Sequence, residues 1–381
     1  MGTIASHPVR TGYARRALES LLSGSGIQFD GTNPWDIHVH DARFYSRVLR
    51  QRSLGLGESY MDGWWDCEQL DALFHKLLQH RADRLSHRKL GFILDSLKTR
   101  LFNLQSRRRA FDVGEQHYNL GNDLFSVMLD PSMSYSCGYW KTATTLAEAQ
   151  EAKLRLICEK LQLAPGMTLL DIGCGWGGLA EFAATHYGVE VTGITISDEQ
   201  MTLACDRTRH LPVSIILKDY REMDGQFDRA VSVGMFEHVG EKNYRLYMET
   251  VHRLLKPGGY FLLHTIGNNT TTHGRDPWIH KYIFPNGEIP SPIQLTRSIE
   301  PLFVLEDWQN FGPDYDRTLL AWHENFKHHW PELKPAYNQR FYRMWTYYLL
   351  CFAGVFRARE LQLWQLVLSH GKRPNRYDAA R

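Results

Sequence analysis

The chain has 381 residues, 43% of them hydrophobic, which is enough for one large domain and a smaller one with sizeable cores. Lys and Arg total 44 against 42 Asp and Glu; a net charge of +2 gives no global field for nucleic acid, and no basic base-reading module accompanies it. The six cysteines form no CxxC pair and suit a reducing cytoplasm, the amino terminus lacks a signal-peptide core, and the apolar run near 347–356 is too short to span a bilayer.

From Ala14 to Gln105 apolar positions recur at helical spacing, as in YARRALESLL, LDALFHKLL and LGFILDSLKTRLFNL, which predicts a small helical amino-terminal domain over 1–110. Its last stretch, Arg81 to Arg109, carries nine Lys/Arg against two Asp, a net +7. A basic amphipathic helix of this kind suits an anionic membrane surface, and equally a linker or dimer contact. From Thr168 onward, β-branched runs alternate with helical patterns: TLLDIG, VEVTGITI, VSIILK, RAVSVG and GYFLLHTI, then FVLEDW and QLWQLVLS. That alternation predicts an α/β domain over 111–381 built on a seven-stranded parallel sheet covered on both faces. Two insertions, 268–300 and the Trp- and Tyr-rich block 318–356, follow strand ends, where such folds build their sites.

LLDIGCGWGG is the sharpest motif. Gly173, Gly175 and Gly177 let a backbone turn tightly and approach a ligand closely after a strand. The spacing is GxGxG rather than the dinucleotide GxGxxG, and Asp171 stands before the first glycine. An acid there repels a pyrophosphate. It suits a ligand with a cationic end, such as the amino acid portion and sulfonium of S-adenosylmethionine, and so favours a methyltransferase over a dehydrogenase. The next strand ends without a ribose-binding acid, leaving Thr195, Ser197 and Gln200 as polar candidates, although Ser197-Asp-Glu-Gln200 also reads as a helix capping box. After the third strand, Asp219 could accept from an adenine amino group and Tyr220 could stack on the ring. The fourth runs into Glu237 and His238; a metal site there would need further ligands that the neighbouring sequence does not supply.

DIGCGWGG, YSCGYW, VGMFEHVG, LLHTIG, WIHKYIFPNGEIPS and DWQNFGPDYDRTLLAW together resemble the cyclopropane-fatty-acyl-phospholipid synthases and, with changes, the mycolic acid cyclopropane synthases. The likeness extends into the amino-terminal part through SLGLGESYMDGWWDCEQLD and RLFNLQSRRRAFDVGEQHYNLGNDLF. The resemblance implies a class I S-adenosylmethionine-dependent methyltransferase, Rossmann-like, with a small helical amino-terminal domain. It implies addition of a methylene across a cis double bond of a phospholipid acyl chain, by a homodimer at the cytoplasmic face of a membrane. An alkene is a weak nucleophile, so the sulfonium methyl must be held in line in a dry site, where aromatic faces tolerate the cation that forms.

The family is thought to use a bound bicarbonate ion as the base that removes a methyl proton. Its ligands carry over to Cys137, Glu237, His264, the backbone of Ile266, and Tyr315, with Tyr135 and Ser136 beside the cofactor. Glu237, His264 and Ile266 are expected at adjacent strand ends, and Cys137 and Tyr315 on flanking loops. His238 would face the other way if the strand continued, and is expected to be structural. A carboxylate beside bicarbonate is costly unless a proton is shared or a donor such as His264 sits close. The rivals are a lipid C-methyltransferase that stops before ring closure and a lipid-binding module that has lost catalysis.

Overall fold

Successive residues of the predicted strands divide between two apolar layers, as alternation in a strand covered on both faces requires. Leu170, Ala230, Phe261, Leu263, Leu366 and Leu368 enter one core. Their neighbours Leu169, Val231, Leu262 and Val367 enter the other. This computed structural model describes residues 8–80, 121–272, 276–371 and 376–381. The basic stretch 81–109 and the proposed boundary at residue 110 lie outside the described residues.

The described part divides into two units. One takes residues 8–80 with 276–285 and 327–360. It contains α1 (Pro8–Leu22), a short pair of β1 (His38–Val39) and β2 (Trp65–Asp66), α2 (Arg43–Met61) and α3 (Leu70–Gln79). Two later helices, whose ranges are Pro277–Tyr282 and Gln339–Arg357, belong with these rather than with the sheet. Gly354 permits the second of them to lie against α3, since a Cβ there would come within 2.6 Å of the Asp71 carbonyl oxygen. Tyr347, from the same helix, packs its ring against Tyr60, Phe74 and Trp278.

The other unit takes 121–272, 286–326, 361–371 and 376–381. In chain order it begins with α4 (Asn122–Met128), α5 (Leu146–Lys160), β3 (Thr168–Ile172), α6 (Gly178–Tyr187), β4 (Glu190–Thr195), α7 (Asp198–Thr208) and β5 (Val213–Leu217). Then come β6 (Phe227–Val233), α8 (Glu241–Leu254), β7 (Leu255–Asn268), α10 (Pro292–Ile299), β8 (Val304–Asn310), α11 (Pro313–Leu333, which runs on into the first unit) and β9 (Leu361–Ser369). The helices Pro277–Tyr282 and Gln339–Arg357 are thus α9 and α12. α5 starts at a complete capping box, with Thr145 accepting from the Glu148 N–H and Glu148 reaching back.

All seven predicted strands form, in the order β5-β4-β3-β6-β7-β9-β8. The first five are parallel, whereas β9 lies antiparallel between β7 and β8. The all-parallel expectation therefore fails at one strand. After β8 the chain passes through α11 and α12 and re-enters the sheet beside β8 from the end at which β8 leaves it, so β9 runs the opposite way. Asn310 Nδ2 donates to Gln362 Oε1 at 3.0 Å across that junction. Strand order reverses at β3 and β6, and the crevice outside their carboxyl ends is where ligands bind in such sheets.

Candidate active site

At the β3 end the glycine loop has the left-handed backbone its composition predicts, with φ of 82° at Gly173, 55° at Gly175 and 80° at Gly177. A Cβ on Gly175 would meet nothing within 4 Å, so the loop opens onto free space there. Asp171 ends the strand with its side chain buried, and its Oδ2 has no hydrogen-bond partner. Burial pushes its carboxyl up to about 7, against the pull of Lys153. An open glycine turn beside an unpartnered buried acid fits a ligand that brings a cationic group, as the sequence anticipates.

The next two strand ends are more self-contained. Thr195 Oγ1 donates to Gln200 Oε1 at 2.8 Å and accepts the Ser197 N–H. Ser197 in turn caps α7 by accepting the Gln200 N–H at 3.3 Å. The Gln200 side chain turns to Thr195 instead of completing the predicted capping box. Asp219 is buried and gripped by Arg221, from Nε at 2.8 Å, Nη2 at 2.6 Å and the backbone N–H at 2.9 Å. Tyr220 packs edge-on against Tyr247, and burial raises its hydroxyl to about 12.

Beyond β6 the structure departs from the sequence reading. The strand stops at Val233, and Glu237 sits in a 3-10 turn, Phe236–His238, rather than in the strand. Gly234, at φ 66°, turns the chain there. The strand-alternation argument for His238 accordingly lapses. Desolvation of its partly buried ring lowers the imidazole to about 4 and leaves it neutral. Glu237 nonetheless reaches the end of β7: its Oε1 accepts the Ile266 N–H at 2.6 Å, while Oε2 has no partner. Burial pushes this carboxyl up to about 7. Tyr315 is likewise in the first turn of α11 and not in a loop.

The residues expected at the ion site converge. Cys137, Phe311 and Leu363 form one apolar cluster, against which Ile266, Tyr315 and Tyr139 pack. His264, wholly buried, sets its ring edge-on to Phe311 with centroids 5.7 Å apart, and its Nε2 lacks a partner. Burial, with help from Lys153 and Lys160, holds that imidazole well below its usual range, hence neutral. Burial also drives the Cys137 thiol well up. A neutral thiol is a poor nucleophile, in keeping with a binding rather than a covalent role.

Three residues escaped the sequence reading. Lys153 of α5 is buried and donates to Ser134 Oγ at 3.0 Å and Ser136 Oγ at 3.1 Å. Gln150, one turn earlier, donates to the Ser136 carbonyl at 2.8 Å. They pin the segment that carries Tyr135, Ser136 and Cys137, while Tyr135 packs between Phe125 and Trp322. Thr318 accepts the Gly138 N–H at 3.1 Å and so fixes the next residue. A signal was present in α5: Gln150, Lys153, Ile157 and Lys160 lie on one helical stripe. Burial lowers the Lys153 amine to about 8, against the pull of Asp130, Cys137 and Asp171, so its charge is felt both at the end of β3 and at Cys137.

Residues 105–366 match the family described as mycolic acid cyclopropane synthetase. The chain belongs to this family. It is 57% identical over 356 residues to the cyclopropane-fatty-acyl-phospholipid synthase of Escherichia coli K12, covering 93% of each protein. Among solved structures, the cyclopropane synthase MmaA2 from Mycobacterium tuberculosis superposes with a TM-score of 0.65 at 33% identity, covering 68% of this chain and 98% of that one. The mycolic acid cyclopropane synthase CmaA1, solved with SAH and CTAB, gives 0.64 at 31% identity, with 68% and 98% coverage. Like these family members, the chain has the S-adenosylmethionine-dependent methyltransferase fold. Among the described residues no helix is long and apolar enough to cross a membrane.

Proposed function

We propose that this protein transfers a methylene group from S-adenosylmethionine to the cis double bond of an unsaturated acyl chain in a membrane phospholipid, closing a cyclopropane ring. The observation that carries the reading is the gathering of Cys137, Glu237, His264, Ile266 and Tyr315 around one apolar cluster, with Glu237 Oε2 and His264 Nε2 unpartnered. S-adenosylmethionine, when bound, supplies an electrophilic methyl group. Asp171 and the glycine loop would hold its amino acid end, with Tyr135 and Ser136 alongside. Thr195, Ser197, Gln200, Asp219 and Tyr220 line the strand ends nearest its nucleoside.

Bicarbonate, when bound, supplies a small base that is not readily alkylated. Glu237 at about 7 can hold a proton in common with such an anion, and a neutral His264 can donate to it without adding charge. The Phe311, Tyr139 and Tyr315 rings keep water away and present π faces to positive charge on the acyl chain. The buried, neutral Cys137 adds an apolar wall that does not compete as a nucleophile.

The test incubates the protein and S-adenosylmethionine with vesicles of cis-unsaturated or fully saturated phospholipid at low and high salt, and analyses the released acyl groups. A methylene gain with loss of the olefinic proton signals, from unsaturated lipid alone, is expected. Binding that weakens with salt would support peripheral attachment to an anionic surface through the basic stretch. A methyl-branched or hydroxylated product would replace the reading with a C-methyltransferase, and no product from either lipid would sink it.

A further inference from the structure

His264 stands opposite Gln365 in the β7–β9 pairing, and Gln365 stands opposite Gln309 in the β9–β8 pairing. Polar residues therefore run in a row across three strands, beside the core positions Leu263, Trp364 and Leu366. Gln365 is fully buried, in a central strand where an amide is costly to desolvate. Its Nε2 lies 3.2 Å from His264 Nδ1. With the amide nitrogen turned to the ring, as it is placed, the contact is a donation to Nδ1, which puts the single ring proton of a neutral imidazole on Nε2. That nitrogen has no protein partner.

We infer that Gln365 is a positioning residue that locks His264 in the Nε2–H tautomer, so that the ring offers a donor, and not a lone pair, to the pocket beside Glu237. The inference rests on reading that pocket as the place of a small oxyanion. In the opposite tautomer Nε2 would present a lone pair, which repels an anion instead of donating to it. The same bond aims the ring, because a side chain tethered at Nδ1 across the sheet loses its freedom about χ2. The sequence alone does not reveal this: QLWQLVLS reads as an apolar strand with two interruptions, and nothing in it says which glutamine meets the histidine.

The experiment is nitrogen-15 NMR of the histidine-labelled full-length enzyme, with the His264 signals assigned by their loss in His264→Asn. The wild type is expected to show a protonated Nε2 and an unprotonated Nδ1. Gln365→Glu, which keeps the shape but turns the donor into an acceptor, is expected to move the proton to Nδ1 or protonate both nitrogens. Its turnover should fall roughly 10- to 100-fold with S-adenosylmethionine affinity kept. Gln365→Met, with no polar atom, is expected to give a mixture of tautomers and an intermediate loss, which separates tautomer control from folding. A wild-type Nδ1–H tautomer, or a His264 signal unmoved in Gln365→Glu, overturns the inference. If the tautomer responds as expected while bicarbonate depletion leaves wild-type turnover unchanged, the tautomer lock stands and the oxyanion reading falls.

Discussion

The two halves of the site are equally buried but treat their polar groups differently. At the ends of β4 and β5, Thr195, Gln200 and Ser197 satisfy one another, and Asp219 is held by Arg221. Around β6, β7 and β9, Glu237 Oε2, His264 Nε2 and Gln365 Oε1 have no protein partner. A buried polar atom left unpaired costs about 1–3 kcal/mol, so the second half forgoes stability that the first keeps. The ends of β4 and β5 are closed on themselves. Under the function proposed above, a small anion would complete the second half, and Asp171 Oδ2 is an unpaired atom of the same kind beside the glycine loop.

The sharpest way to break this contrast is Glu237→Gln. Turnover should fall about a thousandfold, within the usual range for a lost acid–base group, while S-adenosylmethionine affinity by calorimetry changes little. The pH dependence has a sign. With its carboxyl raised to about 7, Glu237 is protonated below that pH and accommodates an anion; above it the bare charge repels one. Bicarbonate affinity, followed by carbon-13 line broadening, should therefore decline as pH rises through about 7, by at most about tenfold per pH unit. The variant should show a flat profile. A flat wild type would mean that Glu237 does not face the ion.

Lys153→Met tests the bridge between the halves, with an expected loss of about tenfold in S-adenosylmethionine affinity once Ser134 and Ser136 lose their donor. Thermal stability of the ligand-free protein should fall by no more than about 1–3 kcal/mol, because relief from burying the amine, lowered to about 8, offsets part of the two lost hydrogen bonds. A lower melting temperature with unchanged affinity would make Lys153 a core residue and nothing more. The smallest effect belongs to Ser197→Ala. Loss of the α7 cap should cost about 1 kcal/mol in urea unfolding, with cofactor affinity within about twofold of the wild type. A large affinity loss would return Ser197 to the ligand.

Periodicity located every strand of the sheet because a strand covered on both faces is written as a short apolar run, and the glycine loop was plain because only glycine adopts its backbone cheaply. Direction was harder: nothing in QLWQLVLS says from which end of the sheet the chain enters it. The turn after β6 was misread as strand because MFEHV continues an aliphatic pattern past Gly234. Lys153 stayed hidden because a lysine in LAEAQEAKLRLICEK ordinarily faces solvent, and its burial depends on Ser134 and Ser136 arriving from a loop. Tyr60, Phe74 and Trp278 collect around Tyr347 across some 290 residues of sequence, a closeness that local pattern does not encode.

Asn310 and Gln362 close the sheet at the mouth of the helical excursion, reinforced by the Phe311 N–H donating to the Leu363 carbonyl at 3.1 Å. To the sheet, everything between them is a loop whose ends are already joined, and doubling the length of such a loop costs only about 0.6 kcal/mol. Tyr315 stands just inside the start of the excursion and Gln365 just past its end, so the closure at Asn310 and Gln362 keeps β8 and β9 in register whatever the number of residues between them.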